Sequence, residues 1–117
     1  MKLEGDRLLL RVYIGESNRF AGVPLYEAIV QRARERGLAG ATVLRGIEGF
    51  GAKSRIHRAS ILRLSEDLPI VVEIVDRRER IESFVAELEP MIEDGMVTLE
   101  DVRVLLYRSR REEEPAS

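Results

Sequence analysis

The stretch Ile70–Val75 constrains this chain most, because its sequence IVVEIV is the strongest strand signal in the molecule. A second strand is predicted over Arg7–Ile14, where apolar residues recur at every second position. Residues at this period share one face of a strand, and here the apolar face comprises Leu8, Leu10, Val12 and Ile14. The opposite face mixes apolar and charged residues, so only one face is predicted to belong to the core.

Two helices are predicted from apolar spacing and from their end signals. Pro24 suits a first helical turn, and Gly37 offers a C-terminal stop to the helix that follows it. A second helix is predicted from Asp76, because Asp76 and Glu79 have the spacing of a capping box with Asp as the N-cap. Pro90 predicts a kink or an end just before it. The apolar stripe of this helix comprises Ile81, Phe84, Val85, Leu88, Met91 and Ile92.

The other predicted strands complete the element order. A strand begins at Thr42, strand structure resumes over Ala59–Leu64, and a last strand spans Val102–Tyr107. A turn at Asp94–Gly95 and a connection over Met96–Asp101 precede that last strand. The order β-α-β-β-α-β predicts an α+β fold, a ferredoxin-like sandwich with an antiparallel sheet and two helices on one face.

Length and composition indicate one small domain. The 117 residues fit a single core over residues 1–108, and the charged segment 109–117 is predicted to be a disordered tail. A net charge of −2 gives no overall attraction to nucleic acid or to an anionic membrane. The absence of Cys excludes disulfides and thiolate metal sites. With no long apolar run and no signal-peptide pattern, the expected location is cytoplasmic.

The stretch Thr42–Arg58 is the main functional candidate, because it passes from a strand into a run of glycines and cations. Backbone N–H groups beside glycines can point at one oxyanion while Lys and Arg supply positive charge. Residue types alone leave open whether this is an anion-binding loop or a solvated hairpin loop. The glycines are Gly46, Gly49 and Gly51, and the side chains that could face an anion are Lys53, Arg55, His57 and Arg58.

The sheet face that carries no helix is predicted to be half apolar. Such a face is too apolar for water and too charged for the core of a monomer, which indicates burial in a symmetric oligomer. By alternation the predicted members are Leu9, Tyr13, Leu105, Tyr107, Val71 and Val75, together with Arg11, Glu73 and Arg103.

Three segments carry a resemblance to a known family: Arg45–Gly51 (RGIEGFG), Pro69–Asp76 (PIVVEIVD) and Asp94–Val97 (DGMV). In this element order they resemble the PII signal-transduction proteins. With Tyr13–Gly15, Pro24–Glu27 and His57–Arg58 added, the chain resembles more closely a PII-like family of unknown function, number one hundred and ninety, over about residues 7–108. The resemblance implies a homotrimer, an adenine nucleotide in the clefts between subunits, and a mobile loop after strand two. It implies that this loop signals to a target protein, such as a membrane transport protein.

The resemblance also implies nucleotide-binding residues at matching positions. Gly49, Phe50 and Gly51 match the loop base that contacts nucleotide in PII proteins, and Gly95, Met96, Val97 and Thr98 match the neighbouring cleft segment. Met96 stands where PII proteins carry a phosphate-binding Lys, and Ala52–Arg58 has no counterpart of their modifiable Tyr. AMP or ADP therefore suits the reduced set of cations better than ATP. The candidate phosphate contacts are Lys53, Arg55, Arg58 and Arg103, with His57 in a hydrogen-bonding or phosphate-facing role.

An RRM-like RNA-binding domain is the alternative from another class, because it has the same topology. Val12–Gly15 and Gly49–Gly51 imitate its two motifs, but Ala52 replaces an aromatic residue that base stacking needs. A P-loop is disfavoured, because Ala52 also intervenes before Lys53–Ser54. His57 is the only histidine, and no nucleophile stands beside a base in the sequence. The sequence therefore predicts neither an enzyme nor a metal site.

Overall fold

The computed structural model describes residues 2–49, 57–58 and 67–110, and at 57–58 it describes the backbone alone. The elements are β1 Gly5–Gly15, β2 Arg19–Phe20, β3 Val23–Pro24, α1 Leu25–Glu35, β4 Thr42–Arg45, β5 Glu48–Gly49, β6 His57–Arg58, β7 Pro69–Asp76, α2 Arg78–Leu88 and β8 Met96–Val104. The predicted strand over Ala59–Leu64, the loop residues 50–56 and residues 111–117 of the predicted tail lie outside the described residues.

The main sheet has four strands in the order β4-β7-β1-β8, and all its pairings are antiparallel. β1 pairs with β7 from Leu8 opposite Asp76 to Gly15 opposite Pro69. On its other side β1 pairs with β8 over nine residue pairs. β1 and β7 are thus the central strands, and β4 and β8 are the edge strands. This arrangement confirms the predicted ferredoxin-like fold.

The core lies between this sheet and the two helices. Alternation along β1 and β7 turns every second side chain towards the helices, as the period of a strand requires. Val85 and Ile92 of the predicted stripe are partly buried against the core. The core residues are Leu8, Leu10, Val12, Ile14, Ile70, Val72 and Ile74 of the sheet, and Leu25, Ile29, Ala33, Ile81, Phe84, Leu88 and Met91 of the helical layer.

The helix boundaries confirm two predictions and correct a third. Pro24 is the N-cap of α1, and α2 ends at Leu88, directly before a 3-10 turn that contains Pro90. The predicted capping box is wrong, because β7 continues through Asp76 and Arg77 becomes the N-cap of α2, with no side-chain cap hydrogen bond. No helix in the described part of the chain is long and apolar enough to cross a bilayer.

Asp76 is fully buried. Instead of capping α2, it binds both the segment after α1 and the start of α2. Its Oδ1 accepts from the backbone N–H of Arg77 at 2.7 Å, and its Oδ2 accepts from the N–H of Ala39 at 2.9 Å. The Nε of Arg80 lies 3.5 Å from Oδ1 and supplies the opposite charge. The carboxylate thereby fixes the connection after α1 to the start of α2.

The last strand differs from its prediction. β8 spans Met96–Val104, so the predicted connection at Met96–Asp101 is strand and Leu105 and Tyr107 lie beyond it. β8 is an edge strand on which Leu99 is half exposed, so its alternation does not mark a buried face. Arg103 stands opposite Asp6 and shares the helix side of the sheet with Leu8, which corrects its predicted placement on the open face.

The helix-free face, called the open face below, is half apolar as predicted. Its central strands carry Leu9, Arg11, Tyr13, Val71, Glu73 and Val75, and β8 adds Met96, Thr98, Glu100 and Val102 in place of the members mispredicted there. Arg11 bonds Glu73 at 2.8 Å and Glu100 at 3.0 Å. The hydrogen bond to Glu73 raises the pKa of Arg11 above its ordinary value, so Arg11 stays charged in the middle of this face.

Asp76→Ala is expected to lower the free energy of unfolding by about 3 kcal/mol, because it leaves the N–H groups of Ala39 and Arg77 without this acceptor and removes the buried charge opposite Arg80. Asp76→Asn should lose less, since an amide keeps one acceptor oxygen. Urea unfolding at one fixed protein concentration measures both. The control is Asp101→Ala, whose carboxylate is 83% exposed and 2.8 Å from Arg78, and which should change little. Equal losses at positions 76 and 101 would contradict the assigned role of Asp76.

Candidate functional site

The glycine segment, residues Arg45–Gly49, crosses the end of the sheet where β7 begins. The N–H of Gly46 donates to the carbonyl oxygen of Pro69 at 2.8 Å, which extends the ladder between β4 and β7 by one bond. Gly49 then pairs with His57 and Glu48 with Arg58, so β5 and β6 form a short antiparallel ladder. The backbones of residues 49 and 57 are therefore adjacent at this corner of the molecule.

Close approach, rather than an unusual backbone conformation, explains the glycines at 46 and 49. A Cβ at Gly46 would lie 2.7 Å from Cγ of Pro69, and one at Gly49 would lie 3.1 Å from the same atom. Neither residue has a positive φ angle, so backbone conformation does not require glycine at these two positions. Gly46 and Gly49 therefore pass close to the Pro69 ring, at the rim of the sheet.

The glycine segment and the neighbouring cleft segment, Gly95–Thr98, are called the two walls of the predicted cleft below. The second wall begins where the backbone of Gly95 crosses close to the end of β1. Gly95 has φ +156°, and a Cβ there would lie 2.6 Å from the carbonyl oxygen of Tyr13 and 2.9 Å from Cγ2 of Ile14. The crossing starts β8 with Met96 opposite Tyr13. Met96 is half exposed, so its apolar side chain is open to a ligand or to another chain.

The two walls lie at the same end of the sheet but on opposite edges. Pro69, under the glycine segment, pairs with Gly15, and Tyr13 two residues earlier pairs with Met96. β7 and β1 separate the edge strands, which puts the walls about 14 Å apart at the usual strand spacing. One chain therefore does not fold them into a closed cleft. A cleft with walls on both sides of a ligand requires a neighbouring chain.

The remaining predicted contacts fall into three groups. Arg103 lies seven residues along β8 from Met96, about 23 Å away at the rise of a strand, so it does not join Gly95–Thr98 in the same chain. His57 and Arg58 enter β6 through their backbone. Phe50, Gly51, Lys53 and Arg55 lie outside the described residues.

Sequence reasoning missed an ion pair at this end of the sheet. Nη2 of Arg45 lies 2.8 Å from Oε2 of Glu16, a residue 29 positions earlier in the chain. The position of Arg45 in the motif RGIEGFG could have marked it as a candidate site residue. No sequence pattern indicates that it pairs with Glu16. The pair connects the glycine segment to the turn after β1.

The turn after β1 is held by its own polar contacts. The N–H of Gly15 donates to Oδ1 of Asn18 at 2.6 Å, and the N–H of Ser17 donates to Oδ1 of Asp67 at 2.6 Å. The N–H of Glu16 donates to the carbonyl oxygen of Leu68 at 2.8 Å. These bonds fix the backbone that carries Glu16, so its carboxylate is presented to Arg45 from a stable base.

Other features of the surface lie apart from these segments. A shallow groove of about 360 Å³ runs between α1 and β4 and is lined by Tyr26, Val30 and Val43 among others. It includes no residue of the glycine segment or of Gly95–Thr98. Within the described residues, no group of three or more His, Asp or Glu side chains is arranged to hold a metal ion.

Comparison with solved structures identifies the class of fold. The chain matches CPII of Thiomonas intermedia K12, a nitrogen regulatory PII-like protein bound to ADP, AMP and bicarbonate, with a TM-score of 0.63, over 89% of this chain and 99% of CPII. The apo form of CPII matches with a TM-score of 0.58, over 85% of this chain and 91% of that one. Sequence identities of 17% and 15% mean that these matches establish the fold alone. The fold is that of a PII-like protein.

Comparison of sequences identifies the family. The family model of DUF190, described as an uncharacterized ACR, matches residues 7–104. A UPF0166 protein of Aquifex aeolicus is 43% identical over 97 residues, which cover 83% of this chain and 91% of that protein. A UPF0166 protein of Methanocaldococcus jannaschii is 33% identical over 97 residues, covering 82% and 89%. The chain belongs to the DUF190 family, and the resemblance found in its motifs is confirmed.

Gly95→Ala is expected to destabilise the protein by about 2 kcal/mol or more, because the new Cβ meets the backbone oxygen of Tyr13 at a φ angle that L residues rarely adopt. Thermal unfolding should show a clear fall in midpoint. Gly40→Ala is the matched control, since a Cβ at Gly40 meets nothing within 4 Å. Equal unfolding temperatures for the two variants would contradict the close contact between Gly95 and the backbone of Tyr13.

Proposed function

We propose that this protein is a PII-like regulatory protein that binds an adenine nucleotide, AMP or ADP in preference to ATP, in clefts between its subunits. Membership of the DUF190 family and the fold shared with CPII, which is bound to ADP and AMP, support this function. The observation that carries it is the glycine segment. Gly46 and Gly49 hold backbone against Pro69 at the rim of the sheet, where the Arg45 guanidinium and N–H groups other than that of Gly46 can meet a phosphate.

The proposed readout is the loop between β5 and β6. Its two ends are joined at Gly49 and His57, next to the proposed phosphate position, so a ligand at this corner contacts the base of the loop. Signalling then consists of a change in this loop that an unidentified target protein recognises. The protein performs no catalysis in this scheme, because binding alone changes the population of loop conformations.

The proposed cleft needs more than one chain, and the open face supplies the contact. Leu9, Tyr13, Val71 and Val75 surround the Arg11–Glu73 pair there, with no helix over them in the described residues. Three copies packed through this face would bury the apolar groups and bring sheet edges of different chains together. A homotrimer is therefore the proposed assembly.

RNA binding by the same face is less well supported. Base stacking in that class uses aromatic side chains on the two central strands. Here β1 carries one aromatic residue, Tyr13, and β7 carries none. Glu73 and Glu100 add negative charge around Arg11, which opposes a phosphate backbone. The face favours protein contact over RNA.

The protein is expected to have a solution mass of about 40 kDa, three times the 13.3 kDa of one chain, because the open face is buried between subunits. Light scattering at micromolar concentration measures this mass. Reversal of charge by Arg11→Glu should shift the mass towards that of a monomer, since the variant places three acidic side chains together. A wild-type mass of one chain would contradict both the trimer and the intersubunit cleft.

AMP or ADP is expected to bind with micromolar affinity, about −8 kcal/mol, and more weakly as salt is raised, because part of the attraction is between charges. Calorimetry with AMP, ADP, ATP and a single-stranded RNA oligonucleotide compares the candidate ligands directly. Heat with AMP or ADP and none with RNA supports the proposed function. Tight RNA binding with no nucleotide heat would replace it with the RNA-binding alternative.

A further inference from the structure

The ion pair between Arg45 and Glu16 stands at the base of the glycine segment. Arg45 is the last residue of β4 and the only basic residue between Thr42 and Gly49. Its guanidinium lies 2.8 Å from the Glu16 carboxylate, and its side chain remains 61% exposed. The arginine is therefore both held in place and accessible from solvent.

The contact is poorly suited to a purely stabilising role. An exposed ion pair contributes about 0–1 kcal/mol, because water screens the charges and two long side chains lose freedom. The pair uses one nitrogen of a guanidinium that has five N–H donors in a planar fork. Such a fork matches the oxygens of a phosphate, and a phosphate carries more charge than a carboxylate.

We propose that Arg45 is a phosphate contact of the nucleotide site and that Glu16 is its partner in the ligand-free protein, displaced when the phosphate of AMP or ADP binds. This inference rests on the proposed nucleotide-binding function. Gly46 follows Arg45 directly and is bonded to Pro69, so the guanidinium and the glycine backbone belong to one rigid corner. The ligand is thus recognised by exchange of one anion for another at a fixed arginine.

The exchange also links two parts of the fold. Glu16 belongs to the turn that Asn18 and Asp67 hold, and this turn leads into α1 through the bond from the N–H of Leu25 to the carbonyl oxygen of Asn18 at 2.7 Å. Release of Glu16 removes the side-chain link between this turn and the glycine segment. Nucleotide binding therefore changes the connection between β4 and the turn after β1.

The first test compares AMP with adenosine in the variant Arg45→Gln. A phosphate contact predicts that AMP binds about tenfold or more weakly, whereas adenosine, which lacks the phosphate, binds as it does to the wild type. Arg45→Lys should fall between, because it keeps the charge and loses the fork. Equal loss of AMP and adenosine affinity would mean a structural role for Arg45 and would overturn the inference.

The second test removes the competing anion. Glu16→Gln is expected to strengthen AMP binding by about threefold to tenfold, since the carboxylate no longer occupies Arg45. The double variant should bind AMP as weakly as Arg45→Gln alone, because Glu16 acts through Arg45. Unchanged or weaker AMP binding by Glu16→Gln would overturn the displacement.

The control is Arg78→Gln, which removes an exposed arginine paired with Asp101 at 2.8 Å at the other end of the sheet. It should bind AMP as the wild type does. If the wild type itself binds no adenine nucleotide, the proposed function fails and the inference fails with it. If the wild type binds AMP and Arg45→Gln binds it equally well, the function stands and only the inference is overturned.

Discussion

The antiparallel register between β1 and β7 determines the positions of Asp76 and Pro69, the residues that support the two ends of the sheet. Leu8 pairs with Asp76 at one end and Gly15 pairs with Pro69 at the other. Because side chains alternate between faces, a slip of β7 by one residue would turn its apolar set away from the helices. The same slip would expose Asp76 and move Pro69 from beneath the glycine segment.

The two ends of β7 thus have different structural roles. At its carboxyl end the buried Asp76 binds the connection after α1 to the start of α2. At its amino end Pro69 supports Gly46 and Gly49 and accepts a hydrogen bond from Gly46. The first end stabilises the helical layer, and the second builds the corner on which the proposed nucleotide site depends. One strand therefore joins the core to the candidate site.

Sequence patterns predicted the elements whose burial is one-sided. β1, β7 and α1 follow regular apolar spacing, and Pro90 marks the end of α2. β8 was misplaced because an edge strand buries few of its side chains, so its alternation carries little signal. Asp76 was predicted to cap α2 because Asp76 and Glu79 have the spacing of a capping box, but β7 continues through Asp76 and the cap falls one residue later. The Arg45–Glu16 pair joins residues far apart in sequence, which local patterns do not reveal.

The central claim is that an adenine nucleotide binds between chains at the end of the sheet that carries the glycine segment. A crystal structure of the protein grown with AMP tests it most directly. The account predicts nucleotide density between two chains, with the phosphate in contact with the backbone at Gly46–Gly49. Density for AMP over the open face, or no bound AMP at a saturating concentration, would contradict it.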